Sequence, residues 1–341
     1  MRALLISVGG GVGDTFLASV VARALRTRYA EVDVLAAPAH RSILRGNPDV
    51  TLILEDASAA ALRTRAYAAS VCTWATFENA MVPVMARVPE RVGQARRMYS
   101  ILFNKRVSVR SELGDRTTHW TQILLDYART LGCDTADTQP RITLGAEDRA
   151  EAQQLLDRAR ITGQFAMLHP TRGITRPQRW PVQPFARMTN ALVERYELPL
   201  LVSGSREDRP LIERVFAAAR TEPRAFIQRN AAAVNIAGMT SLRGLAALAE
   251  RAQFVVAMDS GPMHLAASTG TPTVGIFALR SDEPDRWAPL GTHATVVRGT
   301  YACPPSHRKE TCPDFACVSA LEFSTITAAI DRVLAGPTSS P

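Results

Sequence analysis

The chain has 341 residues, 46% hydrophobic and 21% charged. Those fractions are near globular averages and exclude a disordered or fibrous architecture, and the length fits two domains. A net charge of +8, almost all arginine because only Lys105 and Lys309 are lysines, favours anionic ligands such as nucleic acid, an acidic membrane surface or phosphorylated small molecules.

No apolar run approaches the roughly 18 residues of a membrane span. Residues 1–8 are too short an apolar stretch for a secretory signal, so the expectation is a soluble protein of the cell interior.

Residues 2–8 read as an apolar strand, 9–13 as a tight glycine loop and 15–29 as an amphipathic helix, with Leu17, Val20, Val21, Ala24 and Leu25 on one face. Strands follow at 32–36, 50–54 and 69–73, separated by helices at 39–46 and 57–68. The pattern then loosens over 87–116, where Arg87, Arg91, Arg96, Arg97, Lys105, Arg106, Arg110 and Arg116 stand against Glu90, Glu112 and Asp115. Helices at 118–131 and 146–159 lead to a second series: strands at 165–169, 199–203, around Ala225, at 254–258 and at 272–277. Helices at 184–196, 210–219, 241–251 and 262–269 lie between them, and an amphipathic helix at 321–334 closes the chain. Apolar strands alternating with helices predict an α/β protein with two doubly wound parallel sheets. Ligands of such sheets bind beyond the carboxyl ends of the strands, here in a cleft between the domains.

Five cysteines, an odd number, argue against a disulfide framework. Cys72 and Cys133 read as core residues. Cys303, Cys312 and Cys317 cluster around His307, but the C-x8-C-x4-C spacing lacks the paired C-x-x-C of structural zinc sites. The expectation there is a reduced cluster with no metal.

The glycine loop suggests a dinucleotide fold, and Glu31 and Asp33 lie near the position of an acidic ribose ligand. The fingerprint fails, because counting G-x-G-x-x-G from Gly9 puts Asp14 in place of the third glycine. A carboxylate there competes with a pyrophosphate for the same N–H groups. Two roles stay open for Asp14: the cap of a helix beginning at Thr15, or a general base beside glycines that give a substrate room.

The second informative string is Val255-Val256-Ala257-Met258-Asp259-Ser260-Gly261-Pro262-Met263-His264-Leu265-Ala266-Ala267. A strand ends at an Asp, Ser260 is placed to cap a helix, and Pro262 occupies its first turn. The N–H groups of Gly261, Met263 and His264 then form an anion site suited to a diphosphate. An ordinary capped turn would account for Ser260 and Pro262 but not for the flanking Asp259 and His264.

These two strings, with Gly270-Thr271-Pro272 and Phe277 leading to Arg286-Trp287-Ala288-Pro289-Leu290-Gly291, resemble the glycosyltransferase family 9 heptosyltransferases over most of the chain. The resemblance implies a GT-B fold of two Rossmann-like domains facing a cleft. Residues 1–160 would hold the acceptor, 161–320 the nucleotide-sugar, and a helix at 321–335 would pack back on the first domain. It implies inverting, metal-independent transfer of heptose from ADP-heptose to a lipopolysaccharide-core glycan, with no cofactor. Asp14 matches the family's base beside Gly11 and Gly13 on the acceptor side, and the donor turn matches residues 259–264. The family's lysine in the loop after the first strand of the second domain is replaced by Gln178. Thr171, Arg172, Arg176 and Arg179 remain to meet phosphate oxygens.

Arg96, Arg97 and Arg106 are expected either to hold an anionic acceptor at the inner membrane face or to be a solvated basic loop. That placement makes the protein cytoplasmic and peripheral. Rival readings are a GT-B-like sugar-nucleotide epimerase and a binding protein for an anionic polymer. No basic stripe interleaved with aromatics supports a nucleic-acid partner.

Overall fold

Ala3, Leu4, Leu5 and Ile6 are at most 1% exposed, so the strand they form, β1 (Arg2–Ser7), is covered on both faces and lies mid-sheet. In the computed structural model, the described residues are 1–55, 58–173, 179–221, 233–304, 306, 307, 310 and 312–336. They divide into two units, Met1–Thr143 and Leu144–Pro341.

In the first unit β1 is followed by α1 (Val12–Leu25), β2 (Glu31–Ala36), β3 (Leu52–Leu54), α2 (Ala59–Thr64) and β4 (Tyr67–Cys72). Then come α3 (Phe77–Met85), β5 (Glu90–Gln94), β6 (Lys105–Val107) and α4 (Trp120–Arg129). The strands form a parallel six-stranded sheet in the order β3-β2-β1-β4-β5-β6. The chain reverses its direction of winding between β1 and β4, and the crevice above such a reversal is where doubly wound sheets bind ligands. The loops after β1 and β4 are the glycine loop and the segment around Trp74.

The second unit repeats the plan. It runs α5 (Ala146–Arg158), β7 (Ala166–His169), α6 (Gln183–Tyr196), β8 (Leu200–Val202), α7 (Arg209–Thr221), β9 (Ala233–Asn235), α8 (Leu242–Arg251) and β10 (Val255–Met258). These are followed by α9 (Gly261–Ser268), β11 (Thr273–Phe277), α10 (Pro284–Trp287), β12 (Ala294–Arg298), α11 (Ala316–Ser319) and α12 (Phe323–Ala335). Its sheet, β12-β11-β10-β7-β8-β9, is again parallel and reverses between β7 and β10, with Val256 opposite Leu168 and Ala257 opposite His169. The reversal therefore falls between the loop that begins at Pro170 and the turn that begins at Asp259. The expected strand around Ala225 lies outside the described residues.

One boundary differs from expectation. The first unit ends at Thr143 rather than at 160, because α5 belongs to the second unit. Its Ala152, Leu155 and Leu156 pack with Met167, Leu201 and Leu248, and Asp148 pairs with the buried Arg243 at 2.5 Å. The closing helix α12 seats its apolar face in the second unit. Ile326, Ala329, Ile330 and Val333 join the cluster that holds Leu192 and Ile276, and Asp331 accepts from the Tyr196 hydroxyl at 2.9 Å. No helix among the described residues is long and apolar enough to cross a membrane.

Candidate active site

Asp14 lies inside α1, in its first turn. The helix begins at Val12 with Gly11 as its N-cap residue, so Asp14 is not the residue preceding the helix that one reading of the sequence made it. Its Oδ2 accepts from the Gly11 N–H at 2.8 Å, which satisfies an orphan donor at the helix start and fixes the carboxylate's direction. Gly11 has no side chain to return the bond. Gly13 is the second residue of the helix and is half-buried.

Burial raises the pKa of Asp14, opposed by the Gly11 N–H and by His40. Burial in turn lowers the pKa of His40, whose Nδ1 lies 3.4 Å from the hydroxyl of Thr15. Trp74 covers the glycine loop. A Cβ on Gly10 (φ +67°) would lie 2.5 Å from Asp14 Oδ2 and 2.7 Å from the indole, so the loop's tight path requires glycine here. Asn79 Nδ2 donates to Val8 O at 2.7 Å and to Trp74 O at 3.0 Å, tying the two loops of this crevice together.

In the second unit Asp259 ends β10, its N–H bonded to Ile276 O at 3.0 Å. Ser260 is the N-cap residue of α9, but its hydroxyl donates back to Met258 O at 2.8 Å instead of accepting from the helix. The first turn of α9 is thus left without a side-chain cap, and Pro262 contributes no N–H to it. The Gly261 N–H heads the helix dipole. Met263 and His264 are 0% and 4% exposed, so their side chains belong to the interior. The Met263 N–H is already used on Ser260 O at 3.1 Å. Of the three amides expected to bind an anion, Met263 is therefore committed to the turn itself.

Arg172 organises the opposite wall of this crevice. Its guanidinium donates to Asp259 Oδ2 at 3.1 Å and to Asp282 Oδ1, and the Asp282 side chain has no exposed surface. Burial raises the pKa of Asp282 against the opposing pull of Arg172. Thr171 Oγ1 donates to Asp208 Oδ2 at 2.9 Å and lies 3.4 Å from His169 Nε2. The other nitrogen of His169 is 3.0 Å from Ser203 Oγ, and burial pushes the imidazole down to about 4, so it is neutral. Thr171 and Arg172 thus shape the site through carboxylates, while Arg172 Nε is buried with no hydrogen-bond partner among the described residues. Arg179 is exposed, and Arg176 and Gln178 lie outside the described residues. Trp180 closes the loop: its indole N–H bonds Pro170 O at 3.1 Å, and its ring stacks on Phe185.

Arg96, Arg97 and Arg106 are all exposed, but they are not equivalent. Arg97 pairs with Glu112 at 2.6 Å, and Arg106 Nε donates to Phe103 O at 3.2 Å. No hydrogen bond or ion pair of the Arg96 side chain occurs among the described residues.

His40, Trp74, His169, Asp208 and Asp282 did not emerge from the sequence. The signal that would have found most of them is positional, since His169 is the last residue of a strand and His40, Trp74 and Asp282 lie within five residues of a strand's carboxyl end.

The family model of glycosyltransferase family 9 (heptosyltransferase) matches residues 57–314. The chain is 26% identical over 309 residues to lipopolysaccharide heptosyltransferase 2 of Escherichia coli strain K12, covering 84% of this chain and 85% of that one. Its fold is similar to that of the E. coli ADP-heptose lipopolysaccharide heptosyltransferase II (TM-score 0.77, 22% identity, 98% of this chain and 99% of that chain). It is likewise similar to a family 9 glycosyl transferase of Veillonella parvula (TM-score 0.78, 19% identity, 98% and 97%). With two parallel sheets wound in the same order and a family match over most of its length, the chain belongs to glycosyltransferase family 9 and is a heptosyltransferase-family enzyme of the GT-B fold.

Proposed function

We propose that the enzyme transfers heptose from ADP-heptose to a lipopolysaccharide-core acceptor with inversion at the anomeric carbon. The observation that carries this reading is the placement of Asp14. A half-buried carboxylate, its direction set by the Gly11 N–H, stands at the switch point of the first sheet in a chain that belongs to family 9.

An acceptor hydroxyl gives its proton to Asp14 while its oxygen attacks the anomeric carbon. The bond to the diphosphate oxygen breaks, and the nucleoside diphosphate leaves. A single displacement inverts the centre. A carboxylate whose pKa is raised by burial is a stronger base than one in water. The negative charge growing on the leaving group is met by the amino end of α9 and by the basic loop after β7. No metal is required at the reacting carbon in this reading. Asp259, held by Arg172, orients the donor. The acceptor, an anionic glycolipid at the inner face of the inner membrane, is held with the help of Arg96, Arg97 and Arg106, which makes the enzyme cytoplasmic and peripheral.

The test is a transfer assay over ADP-heptose, UDP-sugars and GDP-sugars, repeated with Asp14→Asn. The expected result is turnover of the ADP sugar alone and a kcat loss of about 10²–10⁴-fold in the variant at unchanged thermal stability. A variant that kept most of its rate would remove Asp14 as the base. Turnover of another nucleotide sugar in preference to ADP-heptose would overturn the donor.

A further inference from the structure

We propose that Cys303, His307, Cys312 and Cys317 form a tetrahedral site for one thiophilic transition-metal ion, zinc or ferrous iron, that holds the segment after β12 in place. The chain spacing argued against a metal, but the fold brings the four side chains together. His307 Nδ1 lies 3.5 Å from Cys303 Sγ and 3.9 Å from Cys312 Sγ, and Cys317 lines the same cavity. Metal–sulfur and metal–nitrogen bonds of about 2.3 and 2.0 Å at a tetrahedral angle place sulfur and nitrogen about 3.5 Å apart. The two separations from His307 are near that value, and a bound ion would draw the Cys303 and Cys317 sulfurs, which line the same cavity, the remaining distance to the centre.

The four side chains line a small, half-open cavity of about 10 Å³ together with Leu279, Arg280, Ser281 and Phe315. The Phe315 N–H donates to Cys312 Sγ at 3.3 Å, the kind of outer-sphere bond that supports a thiolate ligand. Asp314 also falls within reach of His307 and Cys312, but it is exposed and its Oδ1 accepts from Ala316 N at 3.1 Å. Three sulfurs and one imidazole select a soft ion over magnesium or calcium.

The site's neighbours explain what it would do. Leu279 to Ser281 lead directly to Asp282, whose carboxylate holds Arg172, and Phe315 packs edge-on against Trp180 at 5.0 Å. The ion would fasten the residues that carry its ligands to the loop after β11 and to the Trp180 ring. It lies in the second unit and takes no part in the proposed proton transfer, so its role is structural.

The test uses the whole enzyme purified under reducing conditions without added chelator. Elemental analysis should return about one zinc or iron per chain and says which of the two is bound. Exchange with cobalt should give a thiolate charge-transfer band and the intense visible bands of a tetrahedral ion. Cys303→Ser and Cys312→Ser should lose the metal and unfold at lower temperature, while Asp314→Asn and the distant Cys133→Ser should keep it. Cobalt exchange on the wild type keeps the proposal testable if a variant fails to fold. Metal-free wild type that gains no tetrahedral cobalt spectrum would overturn the proposal, as would a disulfide among the three thiols or full metal content in Cys312→Ser.

Discussion

Replacing Arg172 with methionine removes the guanidinium that pairs with Asp282, a carboxylate with no exposed side-chain surface. Breaking a buried pair from one side costs about 3–5 kcal/mol. Here the Leu279 N–H still donates to Asp282 at 2.8 Å, and Asp259, 14% exposed, gains water, so the lower end, about 3 kcal/mol, is expected. In a unit of this size, that lowers Tm by about 6–12 °C. The loss also depends on pH. Burial already raises the pKa of Asp282, and without Arg172 it rises further, so the folded variant binds a proton that the unfolded chain releases. The variant's stability then falls as pH rises from the ordinary carboxylate pKa through the raised one. The gap to wild type is widest near pH 8 and narrows towards about pH 5. Adding Asp282→Asn removes the stranded charge and returns part of the stability. Urea and thermal unfolding of wild type, the Arg172 variant, Asp282→Asn alone and the double variant at both pH values measures this. A single variant within about 2 °C of wild type near pH 8, or a loss that grows on acidification, would refute the assignment of Arg172 as the buried counter-ion.

Three further outcomes follow from the site geometry. His40→Ala removes a group that lowers the Asp14 pKa, so the acid limb of kcat/KM should move to higher pH, and an unmoved limb would disconnect the pair. Gly10→Ala forces φ +67° on an alanine and drives its Cβ onto Asp14, costing about 1–2 kcal/mol and most of the activity. Gly132→Ala (φ +72°, nothing within 4 Å) bears the same strain and should stay active. Because Arg97 and Arg106 are engaged with Glu112 and Phe103, Arg96→Ala alone should produce most of the rise in acceptor KM, and of the loss of its salt dependence, seen when all three are neutralised. An unchanged KM in the triple variant would end the acceptor role of this stretch.

Apolar strands such as β1, β7 and β10 are legible because each is an unbroken hydrophobic run covered on both faces. β5, β6, β9 and β12 are not. Glu90-Arg91-Val92-Gly93-Gln94 and Lys105-Arg106-Val107 are short and charged, and β6, β9 and β12 pair through the sheet's outer positions or edges, where burial leaves no pattern to read. The start of α1 was misplaced because glycine's low helix propensity makes Gly11 to Gly13 look like loop. The helix is nucleated there by Asp14 reaching back to Gly11. The Asp14 and Asp259 turns could be read locally, since each is a strand, a turn and a helix in succession. The pairing of Arg172 with Asp282, 110 residues away, is set by strand order alone. The approach of Cys303 and Cys312 to His307 is likewise not written in any paired motif of the sequence.

The division at Thr143 gives the chain a kinetic property. Each unit is one continuous stretch of sequence, and all six strands of the first sheet precede Thr143. At about 5–20 residues per second, the ribosome needs roughly 10–40 s to make the rest of the protein after Thr143 emerges, far longer than a domain of this size takes to fold. The glycine loop and its carboxylate can be fully assembled on the nascent chain. The second unit, whose β7–β10 pairing joins residues almost ninety positions apart (Met167 with Val255), folds last and carries the greater risk of aggregation.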